Sequence, residues 1–225
     1  MIFQAGWFSQ IFLAASWLLL AALLAMSAKS AVAAAKQHRS AFILAMLILA
    51  ASWNLNASPD SGQLAGLSYH LLALNLSALM TGIAATFWLG ALLMFPYLLF
   101  HGAAWQVYPA NALALLLIPL AVNFTARRIV NRLPANLFIF IFVNGFIASA
   151  VGILLTGLLL TVIFRLTGAF SANLLWSTVF PVFILIAWAE AFLSGISTAI
   201  FIALRPQWIH TFDDNRYLKR RNSIW

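Results

Sequence analysis

The run FPVFILIAWAEAFLSGISTAIFIAL, Phe180 to Leu204, decides how this chain is read. It is long enough to cross the ~30 Å hydrocarbon core of a bilayer as one helix, and it carries one carboxylate, Glu190, in its middle. A charge at the bilayer centre costs roughly 2.5–3.5 kcal/mol on insertion scales, so an intramembrane glutamate has to be met by a partner or a function. Glu190, Ser194, and Ser197 or Thr198 are spaced four and then three or four residues apart, which places them on one helix face. A buried carboxylate beside hydroxyls needs a proton, a cationic partner or a water-filled cavity. Two roles stay open for it: bonding the backbone of an adjacent broken helix to pin the fold, or acting directly in transport or coupling.

Outward from this run the whole chain is apolar. Of 225 residues 64% are hydrophobic and 7% charged, and the mean hydropathy is +1.00. Soluble domains carry about 25% charged residues, so the composition belongs to the membrane class. At about 20 residues per crossing the length is taken up by six to eight helices and short loops, with no segment left for a soluble motor. Energy input then comes from an ion gradient or a partner. The net charge of +8 reads as topology signal rather than a nucleic-acid surface. With no cysteine, thiol redox chemistry, cysteine-ligated clusters and disulfides are excluded. The opening MIFQAGWFSQ lacks the basic residues of a secretory signal, so its removal is not expected.

Hydrophobic runs set against polar interruptions predict an all-α polytopic integral membrane protein, a single transmembrane domain over 1–225 with a basic tail at 205–225. Seven spans are expected: about Phe3 to Met26, Ala41 to Asn54, Ser68 to Met80, about Ala84 to Phe100, about Ala110 to Ala126, Asn136 to Phe164, and Val179 to Leu204. With the N-terminus outside and the C-terminus cytoplasmic, eleven of the twelve Lys and Arg fall on the cytoplasmic side, and only Arg165 falls outside. The second, third and fourth spans are short. They read either as half-helices lining a cavity or as local bilayer thinning and displaced boundaries.

Polar residues gather in three places. In the sixth span Gly145, Ser149, Gly152 and Thr156 form a stripe of small residues that reads as a helix-packing face, with Asn144 beside it. The Glu190 face, with Ser194, is the second. The third lies towards the outer side, where His70, His101, Asn111 and the terminal amine of Met1 are able to converge on one pocket; imidazole is a common ligand for borderline metals. A histidine at a span boundary is also a common interfacial group. His38 and His210 sit among cytoplasmic charges and are expected to bind nothing. No H-E-x-x-H, P-loop, dinucleotide motif or nucleophile–histidine–carboxylate set occurs, so an enzyme is not expected.

At these residues the chain resembles a known family. His101-Gly102, then Asn111, then Pro119 is similar to the HG…AN…GP stretch of the CbiM/NikM family. Ala189-Glu190 to Leu193, followed by Arg205-Pro206, resembles its closing small–Glu–small helix, and His70 falls where the family has a histidine near the start of a small-residue helix. The likeness covers roughly Leu67 to Pro206. It implies the substrate-capturing subunit of an energy-coupling factor (ECF) importer in the bacterial cytoplasmic (inner) membrane, which takes a divalent ion such as cobalt or nickel from outside. It also implies a transmembrane coupling protein and cytoplasmic ATPase subunits as partners. No intrinsic cofactor is implied; the metal is cargo. His70 would be the first ligand, then the Met1 amine, then His101 and Asn111 as ligand or support. Glu190 would hold the third or fifth span in place. The loop Arg127–Arg132 and the basic tail are candidate docking surfaces.

The chain departs from the family at its start. The family begins Met-His-Ile-x-Glu-Gly; here Ile2 stands for the histidine, Ala5 for the carboxylate, and Leu71 for a proline after His70. The usual four-nitrogen site cannot be assembled from these residues. Either His70 and His101 supply different ligands for another ion, or the cargo is something else. Two rivals remain: a proton-coupled carrier that uses Glu190, and a non-transporting membrane assembly or chaperone protein.

Overall fold

The computed structural model describes residues 3–57 and 68–218. The Met1 amine, Ile2, Asp60 and the tail bases Lys219, Arg220 and Arg221 lie outside the described residues. The regular structure of the described chain is helical apart from a two-residue ladder, an all-α polytopic membrane fold. Its helices are α1 (Gln10–Gln37), α2 (Arg39–Asn54), α3 (Leu74–Thr81), α4 (Ile83–Phe100), α5 (Tyr108–Arg132), α6 (Leu137–Leu166) and α7 (Ala172–Leu204). Strands β1 (Asn56–Ala57) and β2 (Tyr69–His70) pair antiparallel, Asn56 opposite His70. Five helices are long and apolar enough to cross a membrane: α1, α4, α5 with its leading turn, α6 and α7; α2 is apolar but only 16 residues long.

The chain runs between two ends of the bundle seven times. Six runs are helices; the other is a non-helical stretch, residues 68–73, continued by the eight residues of α3. At one end the α1–α2 junction, the close of α3, the α5–α6 loop and the tail meet. His38 and His210 stack with ring centroids 4.3 Å apart. The His210 and Thr211 amides donate to the carbonyls of Met80 and Leu79, and Arg216 donates to the carbonyls of Val130, Asn131 and Leu133. Eight of the nine described Lys and Arg lie on the elements that converge there; Arg165, closing α6, belongs to the opposite end. That end gathers β1, β2, the α4–α5 turn and the N-terminal segment, whose Phe3 amide donates to Asn111 Oδ1 at 3.0 Å.

The boundaries differ from the hydropathy reading in instructive ways. The first helix starts at Gln10, where Ser9 Oγ accepts from the Phe12 amide, and runs on to Gln37 rather than ending at Met26. Lys29 and Lys36 sit in an alanine-rich stretch whose helix propensity carries the helix past the charges. The third span, expected over Ser68 to Met80, is helical only from Leu74. At ~1.5 Å per residue α3 is about 12 Å long, less than half a bilayer core; it is a half-helix. The fourth, α4, has 18 residues and is of full length. Gly82, at φ 85°, separates α3 from α4 in a conformation that L side chains rarely adopt.

α3 sits at the centre of the bundle, with all eight of its residues buried. Around it α6 packs against α5 on one side and α7 on the other. A Cβ on Gly145 would approach the Gly195 Cα and Thr198 Oγ1 of α7 to 3.2 Å, and one on Gly152 would approach Pro119 Cα of α5 to 3.3 Å. Ser149 Oγ lies 3.4 Å from the Glu190 carbonyl, and Thr156 Oγ1 donates to the Gly152 carbonyl within its own helix. The small residues thus face two neighbouring helices, which is how backbones approach in lipid without a hydrophobic drive between them.

Candidate functional site

A break in a membrane pass leaves backbone amides and carbonyls that water cannot satisfy. Here side chains from other helices do so. Glu190, 4% exposed in α7, accepts from the Leu72 amide at 2.9 Å and from the Ala73 amide, one through each carboxylate oxygen. The Leu72 carbonyl accepts from Trp53 Nε1 of α2 at 3.0 Å. Ala73 takes the left-handed conformation, φ 53°, and α3 begins at the next residue. The carboxylate therefore caps the half-helix at its positive end, where negative charge is favoured. A cavity of about 160 Å³ opens beside it, lined in part by Glu190, Ser52, Ser194 and Ser197.

Below the cap lies a polar node that the sequence reading did not single out. Asn75 of α3 donates to the Asn144 carbonyl at 2.8 Å and to Ser194 Oγ at 3.1 Å, and accepts from Asn123 Nδ2 at 2.8 Å. The Asn144 and Gly145 carbonyls belong to a π-helical stretch of α6, Phe140–Ile147; such i→i+5 bulges often mark functional positions. The signal for this node was present: Asn75 and Asn123 are amides inside apolar runs, and in lipid such side chains bond across helices.

Above the cap, at the end away from the basic cluster, are the two histidines. His70 is buried, with its ring 6.0 Å from that of Trp53 and 5.3 Å from that of Tyr97; the Tyr97 ring in turn lies 4.3 Å from that of His101. His70 Nδ1 is 3.0 Å from the Leu71 carbonyl, and His101 Nδ1 is 2.8 Å from the Tyr97 carbonyl. A carbonyl only accepts, so in both rings Nδ1 carries the hydrogen and Nε2 presents its lone pair. This is the arrangement that second-sphere carbonyls impose on metal-ligating imidazoles. His101 Nε2 is 3.3 Å from Asn56 Nδ2. The hydroxyl of Tyr69 is buried without a hydrogen-bonding partner among the described residues.

The expected ligand set is therefore gathered only in part. His70 and His101 share one neighbourhood around Tyr97. Asn111 is spoken for on both sides, accepting from Phe3 and donating Nδ2 to the Val107 carbonyl at 2.9 Å; it ties down the N-terminal segment. The Met1 amine lies outside the described residues. Among the described residues no three His, Asp or Glu side chains come together as a metal-binding group. Glu190 and Ser194 belong to the α3 cap and to the node beneath it.

None of the curated protein sequences compared with the chain matches it. A crystal structure of a truncated transition metal transporter superposes with a TM-score of 0.73 at 17% identity, covering 92% of this chain and 99% of that one. A second crystal structure of a transition metal transporter gives a TM-score of 0.73 at 17% identity over 91% of this chain and 93% of the other. At that identity the shared property is the fold. The family model for CbiM, the cobalt uptake substrate-specific transmembrane region, matches residues 3–208.

Proposed function

Because the chain belongs to the CbiM family of cobalt uptake substrate-specific transmembrane regions, and is thus a transporter component for metal uptake, we propose that it is the substrate-capturing subunit of an ECF-type importer for a divalent transition-metal ion of the cobalt or nickel kind. The observation that carries this reading is the histidine pair: two imidazoles, each with Nδ1 held by a backbone carbonyl so that Nε2 is the lone-pair nitrogen, the one in His101 accepting from Asn56 Nδ2 in a bond that a metal would replace. His70 is the primary ligand and His101 the second. The Met1 amine, two residues before Phe3, completes the donor set, and Asn111 acts by anchoring Phe3 rather than by touching the ion. The absence of a histidine at position 2 makes this a nitrogen-poor site, so affinity is lower than four nitrogens would give.

Positive charge marks the cytoplasmic side. In that orientation the N-terminus and the histidines face outward, the C-terminal tail faces the cytoplasm of a bacterial inner membrane, and all seven passes are crossings. A transmembrane coupling protein and cytoplasmic ATPase subunits supply the energy, and the basic end is the surface offered to them. Metal analysis and titration calorimetry with Co²⁺, Ni²⁺, Zn²⁺ and Cu²⁺ test this on purified protein. One equivalent bound by wild type and weakened at least tenfold in His70→Ala, no less than the loss of even an outer-shell partner of a ligand costs (~10–100-fold), is the expected result. No stoichiometric binding of any of the four ions would sink the metal assignment. Metal uptake that continues when the partner ATPase is inactivated would sink the ECF assignment.

A further inference from the structure

The β1–β2 ladder sets Asn56 directly opposite His70. Residues directly opposite in an antiparallel pair project on the same face, with Cβ atoms about 4.5–5.5 Å apart. The Asn56 side chain therefore stands beside that of His70. It also reaches the second histidine, with Asn56 Nδ2 3.3 Å from His101 Nε2. That ring nitrogen is the one with the lone pair, because His101 Nδ1 donates to the Tyr97 carbonyl. One carboxamide is thus neighbour to both imidazoles. His70 is buried, whereas Asn56 and His101 are exposed, so the carboxamide lies at the mouth of the histidine neighbourhood.

The spacing to His101 is that of two donors on one ion. Ligands bound tetrahedrally at ~2.0–2.1 Å are about 3.3 Å from one another. The atom that meets Nε2 already stands one coordination edge away from it. A carboxamide nitrogen donates hydrogen bonds and does not ligate; the carboxamide oxygen has the lone pairs. The terminal torsion of asparagine is broad and roughly two-fold, so a half-turn about Cβ–Cγ exchanges Nδ2 for Oδ1 in nearly the same place.

We infer that Asn56 is a metal ligand: when the divalent ion displaces the Asn56–His101 hydrogen bond, the carboxamide turns and its Oδ1 joins His70 and His101 on the ion. The inference rests on the reading of the histidine pair as the metal site. It gives the site a third side-chain donor, an oxygen, in a chain that has no histidine at position 2. Imidazole favours Ni²⁺ and Cu²⁺, whereas carbonyl oxygen favours harder ions. Asn56 therefore narrows the preference for Ni²⁺ over Co²⁺ relative to an all-nitrogen set.

Titration calorimetry with Co²⁺ and Ni²⁺ on the purified full chain tests this in wild type, Asn56→Ala, Asn56→Asp and His70→Ala. Asn56 is exposed, so these substitutions spare the core, and the melting temperature checks that they do. Asn56→Ala should weaken Co²⁺ at least tenfold, no less than the loss of an outer-shell partner costs (~10–100-fold). Asn56→Asp keeps an oxygen in place and adds a charge, so it should bind both ions more tightly than wild type. A carboxylate cannot donate to His101. If Asn56 only positions that ring by donating to it, Asn56→Asp will be as weak as Asn56→Ala, which overturns the assignment. Visible absorption of the Co²⁺-loaded protein reads the ligand set separately: the d–d bands should shift in Asn56→Ala, and identical bands in wild type and Asn56→Ala overturn the assignment whatever the affinities. Binding that is weakened in His70→Ala but unchanged in Asn56→Ala removes Asn56 and leaves the histidine site standing; no binding by wild type removes both.

Discussion

The pass made by residues 68–81 and the pass made by α7 carry the chain between the same two ends by opposite means. α7 runs for 33 residues as one continuous helical rod, and its backbone polar groups are met within itself. The broken pass has eight helical residues and meets the rest of its needs elsewhere: Glu190 takes two amides, Trp53 one carbonyl, and the tail at His210 and Thr211 the closing carbonyls. Continuous helices in lipid are held by close approach, broken ones by named side chains. The same glutamate that looks anomalous inside α7 is ordinary once it is seen as the missing half of another segment.

The contrast makes Glu190 the most sensitive position. Glu190→Ala leaves the buried Leu72 and Ala73 amides unpaired, at about 1–3 kcal/mol each, so a loss of about 2–6 kcal/mol is expected, read as a large drop in melting temperature in detergent. Glu190→Gln keeps one acceptor and should lose about half as much. A Gln variant that folds normally but loses all uptake would instead revive the proton-carrier role. On the side of the continuous helix, Gly157→Ala places a methyl group 2.3 Å from Phe183 Cγ; overpacking of this kind costs about 1–3 kcal/mol, and a neutral result would show that the α6–α7 contact is softer than described. Ala73→Gly should raise stability by up to about 1 kcal/mol, because glycine takes φ 53° without the left-handed penalty.

The smallest effect concerns pH. Burial first, then the nearby His38 and Arg127, hold His210 below the ordinary imidazole value. Folded His210 takes up its proton at a lower pH than the unfolded chain, which does so near pH ~6.5. The unfolded state then binds more protons, so stability falls as pH drops through that value. His210→Gln should flatten this part of the melting-temperature profile between about pH 7.5 and 5.5, while the His210 amide bond to Met80 is kept.

How much of this was legible beforehand depended on what the property reports. Hydropathy measures side-chain polarity, and it located the bodies of α4 to α7 within a few residues to a turn or two. It is blind to backbone conformation, so the run from Ser68 to Met80 looked like one span although its first six residues are not helical. It also read Lys29 and Lys36 as the end of a helix that alanine propensity extends. The Glu190–Ser194 face followed from 3.6-residue spacing, but its partner, 118 residues away, did not, since nothing local in Leu72 or Ala73 announces an unmet amide. The histidines were visible as residue types; their shared tautomer depends on carbonyls at Leu71 and Tyr97 and needed coordinates. Asn111 read as either ligand or support, because polarity alone cannot say which of its atoms is already engaged.

The α3 half-helix is bracketed by the last part of the chain, Glu190 at its beginning and His210 and Thr211 at its close. Translation at about 5–20 residues per second puts roughly 6–24 s between synthesis of Leu72 and arrival of the carboxylate that serves it. During that interval the third pass has no protein acceptor for two of its amides. Biosynthesis therefore hands the translocon a segment that cannot settle until nearly everything else has been inserted, and a ribosome stalled before codon 190 leaves it exposed to quality-control proteases.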